Sequence, residues 1–284
     1  MSAEPSPAGA TGPGTARSAG AGPSGAGPPG VGAGQAPGAP LLAEEIRAGY
    51  GGGDIIHGVS VRVAPGQVAA IIGPNGSGKS TLLKSLAGII RPSGGRVLVG
   101  ERDITGWAPE EVARVGLGYV PQVDDVFAPL TVRENLDMGG YLLPRNQVSA
   151  RIEQVVAVFP RLAGMLTRRA GKLSGGERKM LAMARVLMTD PAVFLLDEPT
   201  ANLAPAIAGS LLTEHVRRLA ERGAAVLIVE QRAKAVLGIS DHAYVLGGGQ
   251  LIMEGSPVEL AASPQFVEAF LGGARDPAFP ASDA

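Results

Sequence analysis

Gly73-Pro74-Asn75-Gly76-Ser77-Gly78-Lys79-Ser80-Thr81 fits the pattern G-x-x-x-x-G-K-S/T, the loop that holds nucleotide phosphates. Before it, Gln67-Val68-Ala69-Ala70-Ile71-Ile72 is a short apolar run rich in β-branched residues. After it, Leu82, Leu83 and Leu86 fall at helical spacing. Strand, glycine loop and helix in that order supply the context the motif needs. Glycines let backbone N–H groups turn inward around phosphate oxygens, and the helix N-terminus adds its positive dipole end. Lys79 is placed to reach the β- and γ-phosphates as a point charge, and the Ser80 hydroxyl to ligate Mg²⁺. The competing reading is a glycine-rich turn with a chance lysine, and the flanking strand and helix weigh against it. The stretch predicts a nucleoside triphosphate site.

The 284 residues suffice for one large domain or two modest ones with a sizeable core. Hydrophobic content of 45% is ordinary, whereas 18% charged residues and 42 glycines are skewed, largely by the first forty positions. Residues 1–40 are almost wholly Gly, Ala, Pro and Ser, with Glu4 and Arg17 the charges among them. Such a segment cannot bury enough apolar area to offset its ordering entropy, so it is expected to be a disordered tail. The formal net charge of −1 lacks the basic footprint of a nucleic-acid binder. With no cysteine, disulfides and thiolate metal sites are excluded. No run of about eighteen apolar residues appears and no signal peptide is recognisable, so a cytoplasmic protein is expected.

Folded sequence is expected from Leu41. Leu41–Ala48 and Ile55–Val63 read as strands about a Gly51-Gly52-Gly53-Asp54 turn, with Tyr50 beside it. That ring is either a packed rim residue or a platform for a nucleotide base. Arg96–Val99 and Gly118–Gln122 read as strands and Ala108–Arg114 as a short helix. Thr131-Val132-Arg133-Glu134 is a capping box. Ile152, Val155, Val156 and Phe159 mark an amphipathic face that Pro160 stops. The region from about 124 to 169 is therefore predicted to be a helical insert in an α/β alternation. Leu173-Ser174-Gly175-Gly176-Glu177-Arg178 opens another helix with bare amides, a second anion-binding N-terminus or simply a cap.

Ala192–Leu196 reads as a buried strand ending in Asp197-Glu198-Pro199-Thr200. In a chain with a phosphate loop, Asp197 at that edge is the expected second Mg²⁺ contact, and Glu198 can polarise an attacking water. A helix (Ala206–Ala220) and a strand (Ala224–Val229) lead to Glu230-Gln231. A hairpin (Ala243–Leu246, Gln250–Glu254) and a helix (Gln265–Leu271) follow, with Pro277–Ala284 fraying. His57, His215 and His242 lack ligand spacing and read as structural.

Together these pieces resemble the ATPase subunit of an ATP-binding cassette (ABC) transporter over residues 41–273, with 274–284 a flexible tail. The resemblance rests on five motifs in order: Walker A at Gly73–Ser80, a Q-loop at Gln122, the LSGGE signature at Leu173–Glu177, Walker B ending at Asp197-Glu198, and the switch position at Gln231. It implies an α/β P-loop NTPase fold with an antiparallel β subdomain and an inserted α-helical subdomain. The implied cofactors are ATP, held by Gly73–Thr81 with Tyr50 on the adenine, and Mg²⁺, held by Ser80, Gln122 and Asp197. Glu198, Gln231 and Gln122 take the catalytic roles. In the family two such subunits pair head to tail, so Ser174, Gly175 and Gly176 serve the partner's γ-phosphate.

Two departures narrow the resemblance. The switch position usually carries His, whereas Val229-Glu230-Gln231 supplies glutamine. The loop after Walker B usually ends Leu-Asp, whereas here it reads Asn202-Leu203-Ala204-Pro205. Both resemble the second ATPase of branched-chain amino acid importers, as do Leu130–Leu136 and the ending Phe270-Leu271-Gly272-Gly273. That branch implies a second ATPase subunit (a paralogue, or an identical copy), two integral-membrane permease subunits, an extracytoplasmic solute-binding protein acting indirectly, and a place on the cytoplasmic face of the membrane. Urea and short-amide importers share these features, and lipopolysaccharide-export ATPases share the general layout but carry His at the switch.

Overall fold

The computed structural model describes residues 38–123 and 125–270. Residues 1–37 and 271–284, which include most of the first expected tail, the expected end of the last helix at Leu271 and the whole expected C-terminal tail, lie outside the described residues, as does Asp124 at the expected start of the insert. At the edge of the expected tail, the Pro40 carbonyl accepts a hydrogen bond from Gly100 N at 2.8 Å, one residue before the first strand.

The strands are β1 (Leu41–Ala48), β2 (Ile56–Val63), β3 (Val68–Ile72), β4 (Gly94–Val99), β5 (Arg102–Asp103), β6 (Leu117–Val120), β7 (Val193–Asp197), β8 (Ala225–Glu230), β9 (His242–Gly247) and β10 (Gln250–Gly255). The helices are α1 (Lys79–Leu86), α2 (Pro109–Arg114), α3 (Val132–Gly139), α4 (Arg145–Val158), α5 (Gly175–Leu187), α6 (Pro205–Ser210), α7 (Arg217–Glu221), α8 (Ala233–Leu237), α9 (Pro257–Ala262) and α10 (Pro264–Phe270). A π-helical turn, Leu211–Val216, joins α6 to α7, where the sequence predicts one unbroken helix.

Two sheets organise the chain. The first, in the order β2-β1-β4-β5, is antiparallel. In β1 the buried residues run Leu41, Ala43, Ile46, Ala48, so the alternation slips by one between Ala43 and Ile46. A bulge at that point, with Glu45 at φ 51°, keeps Ile46 and Ala48 on the buried face.

The second sheet runs β10-β9-β3-β8-β7-β6. Strands β9, β3, β8, β7 and β6 are mutually parallel, and β10 closes one edge as an antiparallel hairpin partner of β9. In the core strands β3, β7 and β8 every residue is buried, as a parallel sheet covered on both faces requires. Val68, Ala70 and Ile72 face one apolar cluster, shared with α5 and the helices after β7. Ala69 and Ile71 face the other, shared with α1 and the antiparallel sheet. This sandwich sends the carboxyl ends of β3, β6, β7 and β8 to one edge, where an open α/β sheet presents its ligand crevice.

The helical region between β6 and β7 is carried by α3, α4 and α5. Thr131 caps α3 with the expected reciprocal contact to Glu134. Ile152, Val155 and Phe159 are buried, Val156 is half-buried, and Pro160 ends α4 by opening a 3-10 turn.

Candidate active site

The loop Gly73–Gly78 leaves β3 and feeds α1. Gly78 caps α1 at φ 99°, and a Cβ there would sit 2.5 Å from Ile56 Cδ1. A Cβ on Gly73 would sit 2.3 Å from the Leu246 carbonyl oxygen. Both positions therefore admit only glycine without rearrangement. The Ser77 hydroxyl is buried inside the loop with no protein partner, a polar group left for a ligand to satisfy. The Lys79 ammonium is buried and folded back on the loop, donating to the carbonyls of Gly73 (2.8 Å) and Pro74 (3.0 Å). Burial lowers its pKa, and the charges of Glu198, Asp197 and Glu230 oppose that shift.

Beside the loop, the Ser80 hydroxyl donates to Asp197 Oδ1 at 2.8 Å. Tyr119 donates its phenolic O–H to Asp197 Oδ2 at 3.2 Å. Burial pushes the Asp197 carboxyl up, and these two hydrogen bonds pull it back toward the charged form. Among the described residues no cluster of three His, Cys, Asp or Glu stands ready to hold a metal alone. A hydroxyl beside one buried carboxylate is the donor set expected for Mg²⁺, which completes its shell with nucleotide phosphates and water. The residues fit that ion.

Glu198 follows Asp197 with its backbone at φ 45°, a left-handed conformation that non-glycine residues adopt at a cost of about 1 kcal/mol or more. Its side chain is only 6% exposed. Gln122 Nε2 donates to Glu198 Oε2 at 2.6 Å, and Gln231 Nε2 lies 3.0 Å from both carboxylate oxygens. Lys79, Ser80, Gln122, Asp197, Glu198 and Gln231 are thus gathered at one sheet edge.

Two groups of expected residues stand apart from this cluster. Ser174 caps α5 and hydrogen-bonds with Glu177 and Arg178 of its own helix, with Ser174 exposed and Gly176 packed against Ile207. Tyr50 is 60% exposed on the loop after β1, with Lys84 Nζ 5.9 Å from its ring centre. The sequence reading overlooked Tyr119 and the Glu230–Thr200 pair. Glu230 is buried and accepts from Thr200 N (2.9 Å) and Thr200 Oγ1 (2.7 Å), which ties the loop after β7 to the end of β8. A lone carboxylate ending the apolar run Ala225–Val229 was the available signal.

An apolar groove of about 510 Å³ opens between α1, α2, β6 and the helical region. Ile89, Phe127, Met138 and Tyr141 line it and are all substantially exposed. A more open hollow of about 600 Å³ lies on the antiparallel sheet between Glu44, Ser60, Arg96 and Glu254, away from the phosphate loop. No helix among the described residues is long and apolar enough to cross a membrane.

The family pattern described as ABC transporter matches residues 56–201. A probable branched-chain amino acid transport ATP-binding protein of Archaeoglobus fulgidus is 39% identical over 232 residues, covering 82% of this chain and 98% of that protein. A high-affinity branched-chain amino acid transport ATP-binding protein of Pseudomonas aeruginosa is 37% identical, covering 82% and 100%. In structure, the chain is similar to an ATP-binding cassette of an ABC transporter solved in its ADP conformation. That match has a TM-score of 0.74 and 33% identity, and covers 82% of this chain and 99% of that one.

Proposed function

Because the chain belongs to the ABC transporter family, whose members are nucleotide-binding ATPases that work with membrane components, we propose that it powers an importer of branched-chain amino acids. The observation that carries the site reading is the convergence of Gln122 and Gln231 on Glu198, beside the Ser80–Asp197 pair. Residues 41–273 form the nucleotide-binding domain, with 124–169 as its helical insert.

In this reading Gly73–Thr81 hold the phosphates of ATP through backbone amides, and Lys79 leaves its own loop carbonyls for the β- and γ-phosphates. Tyr50, exposed and near Lys84, stacks on the adenine. Ser80, Asp197 and the side-chain oxygen of Gln122 would hold Mg²⁺. The ion supplies charge neutralisation on the phosphates. Glu198 then accepts a proton from the attacking water. For that, its oxygens must be freed in part, and Gln231 is the amide free to leave, since it then donates to the γ-phosphate. Ser174, exposed at the start of α5, and the half-buried Gly175 and buried Gly176 that follow it serve the γ-phosphate of a second ATPase subunit, paralogous or identical.

The apolar groove bordered by Phe127, Met138 and Tyr141 suits a segment of one of two permease subunits. The chain accordingly sits peripherally on the cytoplasmic face of the membrane, with a solute-binding protein acting from the other side. Gln231 favours this branch over lipopolysaccharide export, which carries His at the switch. Urea or short-amide uptake shares the glutamine and is separated by the transport assay. In cells lacking this subunit, the parent gene should restore uptake of labelled leucine and the Glu198→Gln variant should not. Restored uptake of urea instead of leucine would replace the solute and keep the ATPase role.

A further inference from the structure

Lys179 lies on α5, five residues after Ser174, and its ammonium is almost wholly buried. A buried lysine is costly unless its charge and its N–H groups are matched. Here Nζ donates to the main-chain oxygen of Gln122 at 2.6 Å and lies 2.8 Å from Asp125 Oδ2. The contact with Asp125 is one of charge more than of an aligned hydrogen bond, so the well-directed bond is the one to Gln122. Gln122 is therefore held at both ends: its carbonyl by α5 and its side-chain amide by Glu198 at 2.6 Å.

The rest of the segment is fixed to the same helical region. Asn135 of α3, fully buried, accepts from Phe127 N at 2.8 Å and donates to Phe127 O at 3.0 Å. The Arg185 guanidinium, also on α5, sits 4.8 Å from the centre of the Phe127 ring. Gln122, Asp125 and Phe127 are thus each fastened to α3 or α5, while the tip of the Gln122 side chain reaches across to the end of β7.

We propose that Lys179 is a positioning residue for hydrolysis: it clamps the Gln122 main chain to α5, so the angle at which the Gln122 amide meets Glu198 follows the position of the signature helix. The proposal rests on the reading of Glu198 as the group that polarises water. It joins the helix whose N-terminus serves the partner's nucleotide to the carboxylate that serves this subunit's own. Misplacement of a reacting group by about 1 Å from a distant substitution costs on the order of a hundredfold in rate, so a loose clamp should be visible kinetically.

The test uses the full-length chain purified from membranes with the subunits that accompany it. Lys179→Met removes the charge and the donor while filling the same space. We expect kcat for ATP to fall about ten- to a hundredfold with KM within about twofold, and amide hydrogen exchange across residues 120–127 to quicken. Lys179→Arg, which restores a cation and N–H donors, should recover most of both. Asp125→Asn, which withdraws the counter-charge but leaves the site polar, should shift both readouts in the same direction and carries the test if the Met variant does not fold. A Lys179→Met or Asp125→Asn protein that melts earlier yet keeps the parent's kcat and exchange pattern overturns the proposal and leaves an ordinary buried ion pair. Should Glu198→Gln remain active, the reading of Glu198 fails on its own, while the exchange data still judge the clamp.

Discussion

The side-chain nitrogen of Gln231 lies 3.0 Å from both carboxylate oxygens of Glu198. The Gln122 amide donates to the same carboxylate at 2.6 Å, so both side-chain amides converge on Glu198 beside Asp197. The buried cation of the phosphate loop, Lys79, is turned onto the carbonyls of Gly73 and Pro74. Two neutral amides therefore hold the carboxylate proposed above as the acceptor of a proton from water, and in that proposal each gains a second partner once ATP is present.

Removing one of them tests that second use. Gln231→Ala should lower kcat about a hundredfold with little change in KM, the scale at which a missing oriented donor acts on a transition state. Gln231→His should retain activity and add a pH dependence near the imidazole pKa of about 6.5, because a glutamine amide does not titrate and an imidazole does. Steady-state ATPase assays from pH 5.5 to 8.5 decide; a silent alanine variant removes the sensor role.

Binding and chemistry should separate cleanly between Lys79 and Glu198. Lys79→Ala deletes the charge meant for the β- and γ-phosphates and should weaken ATP binding. Glu198→Gln should bind ATP as the parent does, stop turnover, and accumulate as an ATP-bound dimer with its partner. Equilibrium nucleotide titration and size-exclusion chromatography with Mg-ATP read the two effects, and wild-type turnover in Glu198→Gln would reject it as the base.

Tyr50 is exposed enough to change without disturbing the core. Tyr50→Ala should weaken ATP by about 1 kcal/mol, roughly fivefold, if the ring stacks on adenine, and Tyr50→Trp should hold the affinity. Calorimetric titration of both variants checks this, and equal affinities across the series return Tyr50 to the role of a rim residue.

Glu230 sets a pH signature on stability. Its pKa is raised above the ordinary 4.5, first by burial, with the bonds from Thr200 opposing. A carboxyl raised on folding contributes stability below its unfolded pKa and loses it as pH climbs through the folded value. Glu230→Gln keeps an acceptor oxygen for Thr200 and does not titrate. The melting temperature of the variant minus that of the parent should therefore rise as pH goes from about 4 toward neutral. Parallel melting curves across that window contradict the shift.

The groove offers a test independent of nucleotide. Met138 and Tyr141 are 50% and 61% exposed, so Met138→Asp or Tyr141→Asp should fold normally. Either should release the chain from membranes while ATP binding persists. Membrane retention at the parent's level would place the permease contact elsewhere.

Which residues line the crevice at the sheet edge was legible from residues alone. The phosphate loop between an apolar run and a leucine helix, the carboxylates closing Val193–Leu196, and the capping box at Thr131 each depend on neighbours a few positions away, where steric and hydrogen-bonding preferences act. Short elements escaped: α8 has five residues and β5 two, too few to display a period, and α9 was passed over although Ser256 and Glu259 cap it reciprocally. What only the tertiary structure decided was adjacency. Strands β3, β7 and β8 are buried on both faces, so their sequences show continuous apolar runs that name no neighbour and no face. Pairing of β8 between β3 and β7 is what sets Gln231 against Glu198 and Glu230 against Thr200. Packing of α5 beneath β6 is what brings Lys179 to a carbonyl 57 residues earlier in the chain. Such contacts follow from how whole elements bury their faces together, a property of the assembled layers that local spacing does not encode.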